Sequence, residues 1–281
     1  MFKKSRLHKL LPILTVSLCL LSLSAHSEIQ TLSMKAATDM TRSDVCYLPI
    51  VGKPKAVLVL CPGYNGNGTG LIQQKAWQEF AVSENLGLMG IHFESPVNLL
   101  SECQGYYQAS KGSGEILLAS IRKIYGRDLP ILIFGFSGGA HFTTRLIAWK
   151  PENILGWCAQ GAGVLDEPVP SKSNPPGIMA CGGDDTRLGG ALIFFKQGRA
   201  AQKPWLWIEV PKTGHAMSAK LDNFIRSYFK VLLHPASDAS AWVDIDLMKE
   251  ISATEAQQKP SLSGWLPDRS LFNSWAEFHE N

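Results

Sequence analysis

Six continuous apolar runs constrain the fold of this chain more than any other feature, because each has the length of a buried strand and is bounded by turn residues. They are AVLVLCPG from residue 56, LGLMGIHF from 86, PILIFGF from 130, ILGWCAQGAG from 154, PPGIMACGG from 175 and PWLWIEV from 204. Segments with helical spacing of apolar residues separate most of these runs. Buried strands that alternate with helices predict an α/β fold, with a mostly parallel central sheet and helices on both faces.

The segments outside this alternation are shorter or less regular. IQTLSMKA and DVCYLPI, before the first buried run, predict two edge strands. The sequence at 71–85 predicts a helix that Gly87 ends. Residues 235–281 form a tail with amphipathic pieces, and we expect it to pack on the main domain because it carries three tryptophans: Trp242, Trp265 and Trp275. A length of 281 residues suits one large core, so we predict a single domain with a packed C-terminal tail.

The excess positive charge of the chain lies at its N-terminus. The chain has 27 basic and 24 acidic residues, but Lys3, Lys4, Arg6 and Lys9 all lie within the first 27 residues, which hold no Asp or Glu. Without these four residues, 23 basic side chains stand against 24 acidic ones. We therefore expect no nucleic-acid partner and no strong steering of acidic substrates.

The first 27 residues are typical of a bacterial export signal. A positively charged start is followed by an apolar stretch at 10–25, and AHS places small side chains at the −3 and −1 positions before Glu28. The apolar stretch is shorter than the roughly 20 residues that span a membrane. We expect a signal peptide at 1–27, cleaved after Ser27, and a periplasmic or secreted domain at 28–281 with no stable membrane insertion. An uncleaved anchor is the alternative.

The five cysteines outside the leader fall into two groups. Cys61, Cys158 and Cys181 lie inside apolar runs and are predicted to be small buried side chains. Cys46 and Cys103 lie in edge or loop sequence and could pair in an oxidising compartment. No spacing resembles a zinc site, so no metal is expected.

One of the apolar runs leads directly into a serine that glycines flank. Gly135-Phe136-Ser137-Gly138-Gly139 has the spacing Gly-x-Ser-x-Gly, and a helical pattern follows it. A serine on a tight strand-to-helix turn needs glycine two residues before and two residues after, where side chains would collide with the neighbouring strand and helix. The pattern predicts an exposed nucleophile at Ser137.

A serine nucleophile needs a histidine base and an acid that orients it. His215 follows the last buried strand in EVPKTGHAM, and Asp184 and Asp185 follow the strand before it in CGGDD. All three positions lie just after strand ends, and the carboxyl ends of parallel strands meet at one edge of the sheet. The N–H groups of Gly138 and Tyr64, the latter after the strand that ends in LCPG, are candidates for an oxyanion hole.

This assembly resembles the α/β-hydrolase fold family over roughly residues 55–233, and within it most resembles dienelactone-hydrolase-like and polyester-depolymerase-like esterases. GFSGG is similar to the nucleophile elbow, GGDD to the acid loop and TGHAM to the histidine loop. The loop with Cys61-Pro62-Gly63 departs from the His-Gly that many members carry there. The family's Gly-x-x-Asp spacing favours Asp185 as the acid; Asp184 and, one strand earlier, Asp166 remain alternatives.

The resemblance implies an exported serine hydrolase that cleaves a carboxylic ester, small or polymeric, through an acyl-enzyme, with Ser137, Asp185 and His215 as its triad and without a cofactor. A peptidase or amidase with the same triad is one alternative. A hydrolase-fold binding protein without turnover is another. The loops at 95–112 and 163–176 are expected to shape the pocket, and the long segment that holds Tyr106 and Tyr107 is expected to cover the site.

Overall fold

The computed structural model describes residues 28–50, 52–171, 173–237 and 239–279. The predicted signal peptide lies outside the described residues. Eleven strands and nine α-helices are found in this part of the chain. The strands are β1 Gln30–Ser33, β2 Arg42–Leu48, β3 Ala56–Cys61, β4 Leu86–Glu94, β5 Ile131–Phe136, β6 Ile154–Gln160, β7 Gly177–Gly182, β8 Trp205–Val210, β9 Ala241–Asp244, β10 Lys249–Ile251 and β11 Ser263–Leu266. The helices are α1 Thr69–Ile72, α2 Lys75–Ser83, α3 Val97–Ser101, α4 Ser113–Tyr125, α5 Gly138–Trp149, α6 Leu188–Ala200, α7 Ala219–Leu233, α8 Ala253–Gln258 and α9 Phe272–Ala276.

The first eight strands form one sheet in the order β1-β2-β4-β3-β5-β6-β7-β8. The six strands from β4 to β8 in this order are parallel, while β1 and β2 are antiparallel additions at one edge. Every residue of β3 and β7 is buried, because helices cover both faces of the sheet. The predicted α/β fold, with its two edge strands, is confirmed.

The predicted helix at 71–85 is wrong in its boundaries. The chain forms two helices instead, α1 and α2, and α2 ends at Ser83. Asn85, with φ of 51°, supplies the left-handed residue that follows the helix end. Gly87 lies within β4, where a Cβ would stand 2.4 Å from the hydroxyl oxygen of Tyr125. Glycine is therefore required at position 87 because β4 packs closely against α4, and it does not end the helix.

The C-terminal tail forms a second sheet, in the order β10-β9-β11, that packs at the β8 edge of the main sheet. Trp275 is fully buried, and its indole N–H donates to the backbone oxygen of Trp207 at 2.9 Å. The guanidinium of Arg199, on α6, donates to the backbone oxygen of Ser263 at 2.8 Å and stacks 4.5 Å from the ring centre of Trp242. The predicted packing of the tail on the main domain is confirmed.

The five cysteines in the described part of the chain are all free. Cys61, Cys158 and Cys181 are buried in β3, β6 and β7, as predicted. Cys46 is also buried, and its thiol donates to the backbone oxygen of Gly90 at 3.1 Å. The disulfide considered between Cys46 and Cys103 is therefore not formed.

Candidate functional site

Ser137 stands between β5 and α5 in a backbone conformation that side chains rarely adopt. Its φ is 53° and its ψ is −113°, and it is the residue that caps the N-terminus of α5. Strained conformations of this kind persist only where the surrounding structure holds them, and they concentrate at functional sites. The turn lifts the hydroxyl away from the strand at the carboxyl edge of the parallel sheet.

The two outer glycines of the motif show why this turn excludes side chains. A Cβ on Gly135 would stand 2.2 Å from the backbone oxygen of Gly139. A Cβ on Gly139 would stand 2.2 Å from the backbone oxygen of Cys61 in β3. Real Cβ atoms do not approach oxygen so closely, so strand and helix could not meet at this distance with any other residue at either position. The collisions that the sequence predicts for side chains at these two positions are therefore found in the structure.

The three residues predicted to act together form one hydrogen-bonded chain. Nε2 of His215 lies 2.9 Å from Oγ of Ser137, and Nδ1 of the same ring lies 2.7 Å from Oδ2 of Asp185. They come from the turn after β5, the loop after β8 and the turn after β7, and so meet although 78 residues separate Ser137 from His215. An imidazole between a hydroxyl and a carboxylate can accept a proton on one nitrogen while the other stays bonded.

Asp185 is held as a carboxylate by several donors. Burial alone would raise its pKa, but hydrogen bonds from His215 and from both the backbone and guanidinium N–H groups of Arg187 outweigh burial and lower the pKa below its ordinary value. Both Arg187 donors lie 3.0 Å from Oδ1, which leaves Oδ2 to the imidazole. The carboxylate therefore stays charged and fixed in direction near neutral pH.

The two alternative acids lie elsewhere. Asp184 is exposed, and its backbone N–H donates to the backbone oxygen of Thr213 at 3.0 Å. Asp166 is paired with the guanidinium of Arg145, with two N–O distances of 2.9 Å. Of the three carboxylates considered from the sequence, the structure brings only Asp185 to the histidine.

Two residues that the sequence did not single out for this purpose, Phe136 and Gly161, lie beside the imidazole of His215. Phe136 stacks on the ring, with centroids 4.9 Å apart and planes inclined by 27°. Gly161 has a φ of 73°, and a Cβ there would stand 3.2 Å from Cε1 of the imidazole. Phe136 covers one face of the ring, and the absence of a side chain at Gly161 leaves space beside Cε1. A glycine directly after β6 was the only sequence signal for the second of them.

The predicted oxyanion donors lie side by side. A Cβ on Gly138 would stand 2.9 Å from the backbone nitrogen of Tyr64. The same position would be 2.7 Å from the hydroxyl of Tyr106 and 2.9 Å from that of Tyr107. The segment that holds these two tyrosines was expected to cover the site. Both tyrosines are buried, and their hydroxyls occupy the space that a side chain at 138 would need. The absence of a side chain at Gly138 therefore allows the loop at 95–112 to pack closely against this turn.

His141, four residues beyond the serine on α5, takes no part in the hydrogen-bonded chain. Its ring stacks on Tyr107 at 4.9 Å, and Nδ1 lies 3.2 Å from Nη1 of Arg145. Burial, together with the nearby guanidinium, lowers its pKa to about 4, so the ring is neutral near pH 7. It packs beneath the loop that carries the tyrosines.

A mostly apolar cavity lies away from these residues, next to α5. It is lined by residues 166–169 and by Ile147, Phe194, Lys203 and Trp205 among others. None of Ser137, Asp185 and His215 contributes to it. Within the described ranges, no cluster of three or more His, Cys, Asp or Glu side chains is placed to hold a metal ion. The same part of the chain has no helix with both the length and the apolar character needed to cross a membrane.

Several solved structures share the architecture of this chain. A poly(aspartic acid) hydrolase-1 from Sphingomonas sp. KT-1 superposes with a TM-score of 0.52 at 16% identity, over 72% of this chain and 96% of its own. A ferulic acid esterase superposes with a TM-score of 0.55 at 14% identity, over 73% and 96%. FphF, a fluorophosphonate-binding serine hydrolase of Staphylococcus aureus, gives 0.51 at 12% identity, over 74% and 98%.

Sequence comparison adds no closer relative, since no protein-family model and no curated protein matches the chain. Identities of this size carry information about the fold and not about the substrate. The superpositions span nearly the whole length of each of these proteins. The chain therefore has an α/β-hydrolase-like fold.

Proposed function

We propose that this protein is a serine hydrolase that cleaves a carboxylic ester through an acyl-enzyme. The observation that carries the proposal is the continuous hydrogen-bonded chain from Ser137 through His215 to Asp185, at 2.9 and 2.7 Å. The backbone and the hydrogen bonds around two of its members also support the proposal. The serine is in a strained conformation, and the acid carries two further donors that orient it.

The proposed reaction follows from the position of each group. Nε2 of His215 takes the proton of Ser137 as Oγ attacks the ester carbonyl carbon, and the N–H groups of Gly138 and Tyr64 bind the resulting oxyanion. The tetrahedral species collapses, the carbon–oxygen bond to the alcohol breaks, and the imidazolium returns its proton to the leaving alkoxide. Water then attacks the acyl-enzyme by the same route, which releases the acid and restores the serine. Asp185 holds the imidazole tautomer and offsets its charge.

One of the structural neighbours supports an ester as the substrate, and one supports an amide. Ferulic acid esterase is named for the cleavage of an ester, while FphF is named as a serine hydrolase that binds fluorophosphonate and so supports only the serine nucleophile. Poly(aspartic acid) hydrolase-1 is named for a polymer linked by amides. The amide alternative therefore stays beside the ester proposal, because the same triad could protonate a leaving amine.

Labelling with a fluorophosphonate tests the nucleophile directly. The reagent should attach to Ser137 in the folded protein, as located by mass spectrometry of the peptide, and the Ser137→Ala variant should not be labelled. The control variant is Ser110→Ala, a serine in the loop region that belongs to none of the proposed machinery. Attachment at another residue, or none in protein with a cooperative unfolding transition, would refute the assignment.

Matched p-nitrophenyl esters and p-nitroanilides of the same acyl group separate the two hydrolases. We expect turnover of the ester and much slower turnover of the anilide. The reverse ranking would favour the amidase. Labelling of Ser137 without turnover of either series, extended to acetyl, feruloyl and polyester substrates, would favour the binding protein. Activity should be unchanged by EDTA, since the proposed mechanism uses no metal.

We further propose that the mature protein begins near Glu28 and acts in the periplasm or outside the cell. The support is the sequence of residues 1–27, with its basic start, apolar stretch and small residues before the cleavage position. N-terminal sequencing of protein recovered from the periplasm of a bacterial host tests this. An intact N-terminus in the membrane fraction would instead favour the anchor.

A further inference from the structure

The loop that carries the proposed oxyanion donor Tyr64 is tied to the loop at 95–112 by a compact set of hydrogen bonds. Asn65 follows Tyr64 directly and has a φ of 46°, in the left-handed region that asparagine tolerates better than most residues. Its side-chain amide donates to the backbone oxygen of Ser95 at 3.0 Å and accepts from the backbone N–H of Ser95 at 3.1 Å. One side chain thus joins the two loops at two points.

Tyr106 makes the second connection between the loops. Its hydroxyl accepts the backbone N–H of Asn65 at 3.3 Å. Its own backbone N–H donates to Oγ of Ser95 at 2.9 Å, and its backbone oxygen accepts from Oγ of Ser113, the first residue of α4, at 2.8 Å. Tyr106 is 1% exposed and Ser95 is 2% exposed, so water competes little for these bonds.

The peptide unit between Tyr64 and Asn65 is therefore fixed at both ends of its short turn. The hydrogen bond from the backbone N–H of Asn65 to the hydroxyl of Tyr106 sets the orientation of this peptide. The side-chain amide of Asn65 ties the same residue to the backbone of Ser95. The N–H of Tyr64 belongs to the preceding peptide unit, so its direction depends on the same turn. An oxyanion donor contributes only if it is already aimed at the place where charge develops, at about 2.7–3.1 Å from that oxygen.

We propose that Asn65 and Tyr106 are positioning residues that hold the Tyr64 N–H in the oxyanion hole. This inference rests on the proposed function and adds to it the residues that make the hole rigid. Neither side chain hydrogen-bonds to Ser137, His215 or Asp185, and their bonds go to the backbone of the two loops. The hydroxyl of Tyr106 also lies beside Gly138, the second proposed donor, so Tyr106 is close to both N–H groups of the proposed oxyanion hole.

The test compares Tyr106→Phe with Tyr228→Phe. Tyr228 is equally buried, and its hydroxyl has no hydrogen-bond partner among the described residues, so its loss should leave turnover unchanged. For Tyr106→Phe we expect kcat on p-nitrophenyl acetate to fall by roughly 10- to 100-fold while KM changes little, because a donor displaced by a fraction of an ångström loses its effect on the transition state and not on substrate binding.

A transition-state analogue gives the readout that a merely structural role would not move. A methyl trifluoromethyl ketone forms a tetrahedral adduct with the serine, and its affinity for Tyr106→Phe should weaken by about the same factor as kcat/KM. Asn65→Gly is the second variant: glycine keeps the left-handed backbone but removes both bonds to Ser95, and we expect the same pattern. Unfolding curves for all variants, with kinetics on the folded protein, separate positioning from stability.

The outcomes distinguish a failure of the positioning role from a failure of the proposed function. If wild type is labelled at Ser137 and turns over the ester, and both variants keep kcat and analogue affinity, the positioning role is overturned and the proposed function stands. If both variants lose kcat and analogue affinity together while Tyr228→Phe does not, the role is established. If wild type shows neither labelling nor turnover, the proposed function fails and this inference falls with it.

Discussion

Asp185 lies 2.7 Å from His215, oxygen Oδ2 to nitrogen Nδ1, with its other carboxylate oxygen bound to Arg187. The sequence left two adjacent aspartates open for this contact, and a shift of one residue in the turn after β7 would exchange them. The turn places the first on the surface and the second beneath the imidazole.

We expect Asp185→Asn to lower kcat sharply and Asp184→Asn to have little effect. An amide at 185 would favour the wrong imidazole tautomer, and a change of this kind in another serine hydrolase lowers kcat about 10⁴-fold. Steady-state kinetics of the two single variants decides the matter, with thermal unfolding as the check on folding. Equal losses in both would mean that the turn differs from the one described here.

Acid should inactivate the proposed hydrolase reversibly, through the uptake of one proton. The base must be neutral to accept the proton of Ser137, whereas the pKa of Asp185 is lowered, so this carboxylate keeps its charge and takes up no proton near neutral pH. We expect log kcat/KM against pH to have a slope of about 1 on the acid side. A slope near 2 would show that a second group must lose a proton, and would argue against the assigned roles.

Replacing a glycine of this turn with alanine should reduce activity and stability far more than the same change at a glycine with open space around it. Gly139→Ala would place a Cβ 2.2 Å from the backbone oxygen of Cys61. A Cβ on Gly189, in α6, would have nothing within 4 Å of it. We expect Gly139→Ala to abolish activity and lower stability by several kcal/mol, on the order of other overpacked cores. Gly189→Ala should stabilise by up to about 1 kcal/mol. Denaturant unfolding measures both.

A buried carboxylate outside the site should make stability depend on pH. Burial raises the pKa of Asp222 to about 6 against the opposing influence of Arg226, and Oδ1 has no hydrogen-bond partner among the described residues. The folded-state pKa lies above the unfolded one, so the native state is penalised as pH rises from about 4, and fully above about 6. Asp222→Asn should therefore add on the order of 2 kcal/mol at pH 8 and nearly nothing at pH 4. An equal gain at both pH values would contradict this.

Removing the tail's anchor should destabilise the whole domain. Trp275 is fully buried and bonded to Trp207 of β8, so Trp275→Ala should lower the free energy of unfolding by about 3–5 kcal/mol. Trp275→Phe keeps most of the buried ring and should cost less than half as much. Equilibrium unfolding would show one transition for both variants. A separate early transition would mean that the tail unfolds independently of the main sheet.

The local sequence was enough to predict the sheet and the turn at Ser137. Apolar runs of strand length have few places to be buried except the middle of a parallel sheet, and the glycine spacing follows from collisions within a few residues of the serine. The helix end at 83–87 shows the limit of that reasoning. Gly87 had the residue type of a helix stop, but its reason lay in Tyr125 of α4, which is remote in sequence.

The tertiary structure alone decided which groups surround the triad. His215 could be placed at the correct edge from the order of strands. The space that Gly161 leaves beside its ring and the choice of Asp185 over Asp184 depend on turns whose course is set by neighbouring strands. The bonds from Asn65 to Ser95 and Tyr106 join loops about 30 to 40 residues apart and carry no motif. Spacing rules describe contacts along the chain; contacts between loops arise only when packing brings their backbones together.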